Sequence, residues 1–418
     1  MNLKSERPKK QTQSNVPKGW HRITLGQLVT FHRGYDLPRK DMVEGQYPVV
    51  GSNGIIGYHE SFKAKGPGVA IGRSGNLGKP FFVDRNYWPH NTSLYVSEFH
   101  CSNPSFVYYF LMTQRLDEYN SGSAVPTLNR NHIQPIEVVV PEDIEEQKAI
   151  GKTLSNLDKK IEVNEQINRT LEAVGEAVFR RWFVDFEFPD EEGIPYKSSG
   201  GKMVYNGELK KEIPKEWKVG CIEDLCSSIT NGGTPKRSES QYWNGNIAWF
   251  KTGELNDSPL IDSEEHITED GLQNSACKLW DENTILMALY ASPTVGRLGL
   301  LRTKATANQA CSGLVAKKEV GFSFLFYTLF FKRNEFNSIA VGAAQQNINQ
   351  QIVREAKTVI PPKSLLNSFN KLVDTLFDKQ TGLIRQNQTL AQIRDSLLPR
   401  LMSGKIRVPI TEDNIEVC

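Results

Sequence analysis

Apolar positions along the chain follow two rhythms. One is helical: Leu154, Leu157, Ile161, Leu171 and Val178 fall on one seam, and Phe369, Leu376, Leu383, Leu390 and Leu397 recur every seven residues on another. Leu366, Leu372, Val373 and Ile393 widen the second stripe, and Asn164 and Asn168 interrupt the first. Acids after Pro141 suit a helix start, where they complement the dipole, and Gly404 suits a helix end. Each predicted helix runs for about 40 residues, ~60 Å at 1.5 Å per residue. A polar residue in such a seam lowers stability but sets register, so Asn164 and Asn168 are either register specifiers or solvent-facing.

The other rhythm is that of short strands broken by glycine turns. Tyr47 to Val50, Ile55-Ile56, Val69 to Ile71 and Pro80 to Val83 read as strands, and one amphipathic helix is predicted near 104–119 with Phe106, Tyr109, Phe110 and Leu111. The order returns later as Ile247 to Phe250, Ile285 to Met287 and a helix at 322–333 carrying Phe324, Tyr327 and Leu329.

These parallels belong to a duplication. Pro17-Lys18-Gly19-Trp20 with Leu28 returns as Pro214-Lys215-Glu216-Trp217 with Leu225, and Leu128-Asn129, Ile133 and Val138 to Pro141 return as Ile348-Asn349, Val353 and Thr358 to Pro361. A unit of globular domain, proline and long helix is used twice, which implies a pseudo-two-fold axis. The expected fold is α+β: two mixed, strand-rich globular domains separated by two long antiparallel helices. Antiparallel packing follows because parallel helices would ask a 28-residue connector to return ~60 Å almost straight. The expected boundaries are a disordered tail 1–16, a first globular domain 17–141, a long helix 142–185, a linker 186–213, a second globular domain 214–361, a long helix 362–404 and a tail 405–418.

Composition narrows the classes. With 418 residues, 39% hydrophobic and 10% aromatic, the chain is a folded protein of two or three domains. No apolar run approaches the ~20 residues that span a bilayer, and the polar start lacks an apolar leader region, so the expected location is the cytoplasm, without a membrane partner. Six cysteines without paired spacing read as free thiols. A net charge of +2 is small, so nucleic-acid contact must come from local loop clusters or a basic partner, and weak DNA binding by the isolated chain is expected.

The glycine-rich loops hold the useful chemistry. In the first half the candidates are Arg33 and Tyr35, Asn53, then Arg73, Ser74, Asn76 and Lys79, then Ser123 and Arg130. In the second half they are Thr234, Lys236 and Arg237, then Tyr290, Thr294 and Arg297, with Gln309, Gln345 and Gln346. Glycine permits close backbone approach, Arg grips guanine bidentately, and Asn or Gln can do the same with adenine in the major groove. Such loops are more often plain turns, and it is their recurrence in both repeats that singles out the segments.

Catalytic patterns are missing. Asn103-Pro104-Ser105-Phe106 resembles an amino-methyltransferase motif but lacks a counterpart in the second repeat and reads as a helix start. Six of the seven histidines lie in the first half without zinc-like spacing, and phosphate loops and nucleophile elbows are absent, so neither cofactor nor metal is expected.

Layout and motifs together resemble the specificity subunit of type I restriction-modification systems, from about Pro17 to Ile406. The telling pieces are Pro214 to Trp217, Asn231-Gly232-Gly233-Thr234-Pro235 followed by Tyr242 to Gly245, and Gln345 to Ile348. To these are added Arg180-Arg181-Trp182-Phe183-Val184-Asp185-Phe186 and Gln388 to Leu390 through Arg400 to Lys405. The resemblance implies a non-catalytic subunit with one half-site of a bipartite double-stranded DNA target read per domain and an unread spacer between. It also implies two docked adenine methyltransferase subunits and restriction subunits that complete a nuclease. Loop 31–38 lacks the Gly-Gly-Thr-Pro of the second domain, which implies different half-sites. The helix-pair and partner positions are the two seams together with Trp182 and Phe183; the aromatic end of the first helix, from Phe179 to Phe188, suits either methyltransferase docking or packing on the neighbouring domain. Two other classes remain: a coiled-coil scaffold with duplicated ligand-binding domains, and a self-sufficient methyltransferase, which lacks its cofactor loop.

Overall fold

The computed structural model describes residues 16–120, 126–290, 294–341 and 348–409. The N-terminal tail as far as residue 15, the C-terminal end from 410, and the candidates Ser123, Gln345 and Gln346 lie outside the described residues. The chain divides into two compact units, one running to Ile161 and joined by the segment from Gln388, the other Glu162–Asn387.

In the first unit β1 (Trp20–Thr24) pairs antiparallel with a strand that closes the globular fold, so that Trp20 faces Pro141. The strands that follow are β2 (Thr30–Arg33), β3 (Tyr47–Gly51), β4 (Gly54–His59), β5 (Gly68–Gly72), β6 (Pro80–Val83), β7 (Trp88–Pro89), β8 (Ser93–Glu98) and the closing β9 (Glu137–Pro141). They form a four-stranded sheet β2-β8-β5-β6 and a three-stranded sheet β4-β3-β7. β5 is buried along its whole length, as its apolar run requires of a central strand. The helix Pro104–Met112 starts where Asn103 accepts a hydrogen bond from the Phe106 amide at 3.0 Å, and Pro104 needs no partner at that point. Asn103 is therefore a helix cap. This helix is shorter than expected, because the next turn is a separate 3-10 segment, Leu116–Tyr119.

Phe31, Val69, Ile71, Leu94, Phe106 and Phe110 form the core with Trp20, and Ile150, Leu154, Leu401 and Met402 from the long helices join it. Within this unit Leu154 shares a cluster with Leu401, and Asp158 binds Arg394 at 2.7 Å, so one helix ascends as the other descends. Asp158 also accepts from the Tyr109 hydroxyl.

The second unit repeats the plan. Its strands are β10 (Met203–Asn206), β11 (Lys211–Pro214), β12 (Lys218–Cys221), β13 (Cys226–Asn231), β14 (Trp243–Phe250), β15 (Ser258–Leu260), β16 (Glu265–Ile267), β17 (Ile285–Ala288), β18 (Leu298–Leu301), β19 (Ala305–Ala307), β20 (Cys311–Ala316) and β21 (Lys357–Ile360). The sheet β13-β20-β17-β18-β15 corresponds to β2-β8-β5-β6, the sheet β16-β14-β19 to β4-β3-β7, and the pair β12-β21 to β1-β9. The segment before β12 is itself structured: β10 and β11 form a hairpin, and Phe188 stacks on Tyr196 at 4.6 Å.

The two long helices span Ile144–Phe179, widening into a π-helical turn at Arg180–Val184, and Lys363–Met402. In the second unit they are again antiparallel: Asn164 meets Gln386 and Asn387 at 2.7 Å, while Phe183 meets Phe369 with ring centres 4.9 Å apart. Phe179, Phe183, Phe324, Phe369 and Trp217 share one core. Gly175 allows close approach there, since a Cβ would lie 2.1 Å from the Tyr327 hydroxyl.

The seam differs from strict sevens. Leu366, Phe369, Val373, Phe377 and Gln380 are the buried face, and Leu376, Leu383, Leu390 and Leu397 are half-buried beside it. A straight α-helix of 3.6 residues per turn drifts against a seven-residue repeat, so the stripe rotates toward the 3–4 spacing of a globular contact. Leu372 and Ile393, expected to widen the stripe, are instead 44% and 42% exposed. On the first helix Leu154 is buried, Leu157, Ile161, Leu171 and Val178 are half-buried, and Asn164 is fully buried, which removes the solvent-facing reading.

Candidate nucleic-acid interface

Three of the loops singled out in the first half are brought together by a fourth segment, 90–92, that sequence reasoning missed. The Ser93 amide donates to the His90 carbonyl at 2.9 Å and closes a tight turn before β8, while the His90 amide anchors the turn to Val50 at 2.8 Å. On one side the amides of Gly34 and Tyr35 donate to the carbonyls of Ser93 and Pro89, at 3.0 and 2.8 Å. Gly34 must be glycine for this, because a Cβ would lie 2.1 Å from the His90 oxygen. On the other side the amides of Arg73 and Ser74 donate to the Thr92 carbonyl, and the Leu128 amide donates to the Arg73 carbonyl at 2.8 Å. The Ser52 amide reaches the Thr92 hydroxyl at 3.3 Å, which brings the exposed turn residue Asn53 to the same place.

Side chains follow the backbone. The Asn91 amide nitrogen donates to Asp36, which also pairs with Arg33 at 3.5 Å, and an Arg73 guanidinium nitrogen reaches the Asn91 backbone carbonyl at 3.4 Å. The Tyr35 hydroxyl lies 3.1 Å from that of Tyr95, and the Lys63 ammonium sits 5.9 Å from the Tyr35 ring centre and 5.1 Å from that of Trp88. Burial, then the hydrogen bond with Tyr35, pushes the Tyr95 phenol well above its ordinary value, so it stays protonated. Asn76, Lys79 and Arg130 are exposed around this group.

The second unit builds the same object around 308–310. The Cys311 amide closes the turn on Asn308 at 3.1 Å, and the Asn308 amide anchors it to Phe250 at 2.9 Å. Gly232 and Gly233 donate to Cys311 and Ala307, each at 2.9 Å, and a Cβ on Gly232 would lie 2.3 Å from the Ala307 and Asn308 oxygens. The Thr234 hydroxyl donates to the Gln309 amide oxygen. The Leu289 amide donates to Ala310, and that of Ile348 to Leu289, which draws in the neighbouring Tyr290. The Thr294 hydroxyl donates to the Tyr290 carbonyl at 3.1 Å.

Two candidates serve other contacts as well. Arg237 pairs with Glu265 and lies over Trp243 and Trp249, 3.8 and 4.8 Å from their ring centres, and it holds the Glu265 carboxyl below its ordinary value. Tyr290 and Arg297 are half-buried, with Tyr290 packed on the core; Lys236 and Gln309 are exposed. Among the described residues no group of three or more His, Cys, Asp or Glu could hold a metal, and no helix is long and apolar enough to cross a membrane. What the site offers is a display of amides, hydroxyls and guanidinium groups on a rigid backbone frame.

The family described as "Type I restriction modification DNA specificity domain" matches residues 17–173 and again 214–389. A type I restriction enzyme MjaIX specificity subunit of Methanocaldococcus jannaschii is 30% identical over 312 residues, covering 72% of this chain and 69% of the relative. The HindI specificity subunit of Haemophilus influenzae is 23% identical, covering 72% and 77%. The crystal structure of a type I restriction-modification S subunit from M. genitalium shares the fold, with a TM-score of 0.64 at 17% identity over 95% of this chain and 99% of that one. Two domain matches, the relatives and the duplicated fold agree: the chain belongs to the family of type I restriction-modification specificity subunits.

Proposed function

We propose that this chain reads a bipartite, asymmetric DNA site for a type I restriction-modification complex, each globular domain addressing one half-site. One observation carries the reading: both repeats assemble their polar loops on the same turn, through the same backbone hydrogen bonds, yet fill that frame with different side chains. A repeated frame supports two readers, and different residues in it support two different sequences. Guanidinium and amide groups are the side chains that distinguish base edges in the major groove.

The chain itself supplies recognition and no chemistry. Adenine methylation falls to two methyltransferase subunits docked on the helical regions, and cleavage to restriction subunits. Most of the aromatic end of the first helix is packed inside the second unit, where Phe179, Phe183 and Phe186 are buried. What remains open is a groove of about 420 Å³ lined by Val174, Val178, Arg181, Trp182, Pro189 and Leu372, which suits partner docking. The helix lengths set the number of unread base pairs. With nearly balanced charge, firm binding depends on the assembled complex.

Co-expression with a neighbouring methyltransferase followed by single-molecule methylome sequencing tests this. Adenine methylation at one split motif is expected, and inserting whole helical turns into both long helices should alter only the spacer. A coiled-coil scaffold with two ligand-binding domains would give no methylation.

A further inference from the structure

We propose that Asn91 and Gln309 are equivalent base-reading residues, one for each half-site, held in reading position by Asp36 and Thr234. The assignment rests on the DNA-reading function proposed above and adds the residues that set its specificity.

The equivalence is structural. Both are the second residue of the turn that enters the strand paired with the first sheet strand of the domain, β8 with β2 and β20 with β13. Each turn is anchored through its first residue to the end of the strand beside it, Val50 or Phe250, and closed by Ser93 or Cys311. Two residues beyond the glycine pressed against the turn stands the clamping side chain: Asp36 follows Gly34, and Thr234 follows Gly232. Sequence similarity does not disclose this, because His90-Asn91-Thr92 and Asn308-Gln309-Ala310 share little once aligned by position.

The clamps determine what each amide offers. A carboxylate only accepts, so the contact with Asp36 fixes which way the Asn91 amide faces, with its nitrogen on Asp36 and its side-chain oxygen left to accept. An acceptor at that point selects a base with an amino group in the major groove, adenine or cytosine. Thr234 engages the Gln309 oxygen and leaves the exposed amide nitrogen to donate, which selects an acceptor edge. Both amides are held before DNA arrives, so less side-chain freedom is lost on binding.

The test uses the full chain assembled with its methyltransferase partner. Asn91→Ala should make one position of one half-site degenerate, lowering discrimination there roughly 10- to 100-fold while the other half-site and the spacer stay as they were. Gln309→Ala should do the same in the opposite half-site, and Asp36→Ala should weaken the Asn91 position without moving it. An unchanged motif in both alanine variants overturns the assignment and leaves the DNA-reading function standing; absence of any split motif with the unaltered chain overturns that function instead. Should Asn91→Ala prevent assembly, the unaltered complex is titrated with duplexes in which each adenine or cytosine of the half-sites is replaced by an analogue lacking its amino group. One position should then lose binding about 10-fold, and insensitivity at every position overturns the proposal.

Discussion

Gly34 and Gly232 occupy the same point of the two globular folds, each with its amide bound to the residue that closes a turn and its α-carbon against that turn's carbonyls. Neither has a positive φ, so the demand is for space alone. Gly34→Ala and Gly232→Ala should each lower stability by about 1–3 kcal/mol, as overpacking does. Gly207, where an added methyl group would meet nothing within 4 Å, provides the control, and its alanine variant should unfold in urea as the unaltered protein does.

Glu146 lies almost wholly buried under the Trp20 indole, which donates to it at 3.3 Å, and Arg407 supplies its counter-charge. Arg407 is itself about half exposed, which weakens the Coulomb contribution through solvent screening. Removing it nonetheless strands a buried carboxylate. Arg407→Ala should destabilise the first unit by roughly 1–3 kcal/mol and make residues near Trp20 more protease-sensitive, measured by urea unfolding and limited digestion.

Glu172 has its carboxyl pKa raised, by burial first and by Asp257 second. A carboxylic acid whose folded value lies above its unfolded one binds its proton more tightly when folded. Stability therefore declines as pH rises from the ordinary carboxylate range through the raised value, and the deficit is complete above it. Glu172→Gln should be more stable than the unaltered protein at pH 7.5, with the difference vanishing near pH 4. Unfolding curves at both pH values check this.

Cys226 and Cys311 are buried, and burial pushes both thiols up to about 12, whereas Cys101 is exposed. Only thiolates alkylate readily. Iodoacetamide at pH 8 should mark Cys101 and spare Cys226 and Cys311 until the protein is unfolded, as read by peptide mass spectrometry.

Much of this architecture was legible because its signals are local or repeated. The seams at Leu154 and Phe369 marked the long helices, and the return of the Trp20 segment at Trp217 marked the duplication, since a repeat needs no knowledge of contacts. The helix face was less legible: Leu372 and Ile393 fit a seven-residue stripe, but a partner surface decides which side of a helix is covered. The loops around Arg73 and Thr234 could be named from glycine and polar content, and Gln309 with them. Asn91 could not be, because nothing around it in the chain differs from an ordinary turn.

The sequence alone determined two strand-rich domains, two long helices and near-neutral charge, which follow from periodicity, composition and repetition, and its motifs carried the resemblance to the family. Only the tertiary structure decided that 90–92 and 308–310 are the turns on which the loops meet, and that Asp36 and Thr234 orient the amides there. Those relations depend on hydrogen bonds between segments far apart in the chain, such as Asp36 with Asn91, and residue spacing carries no record of which distant groups will satisfy one another.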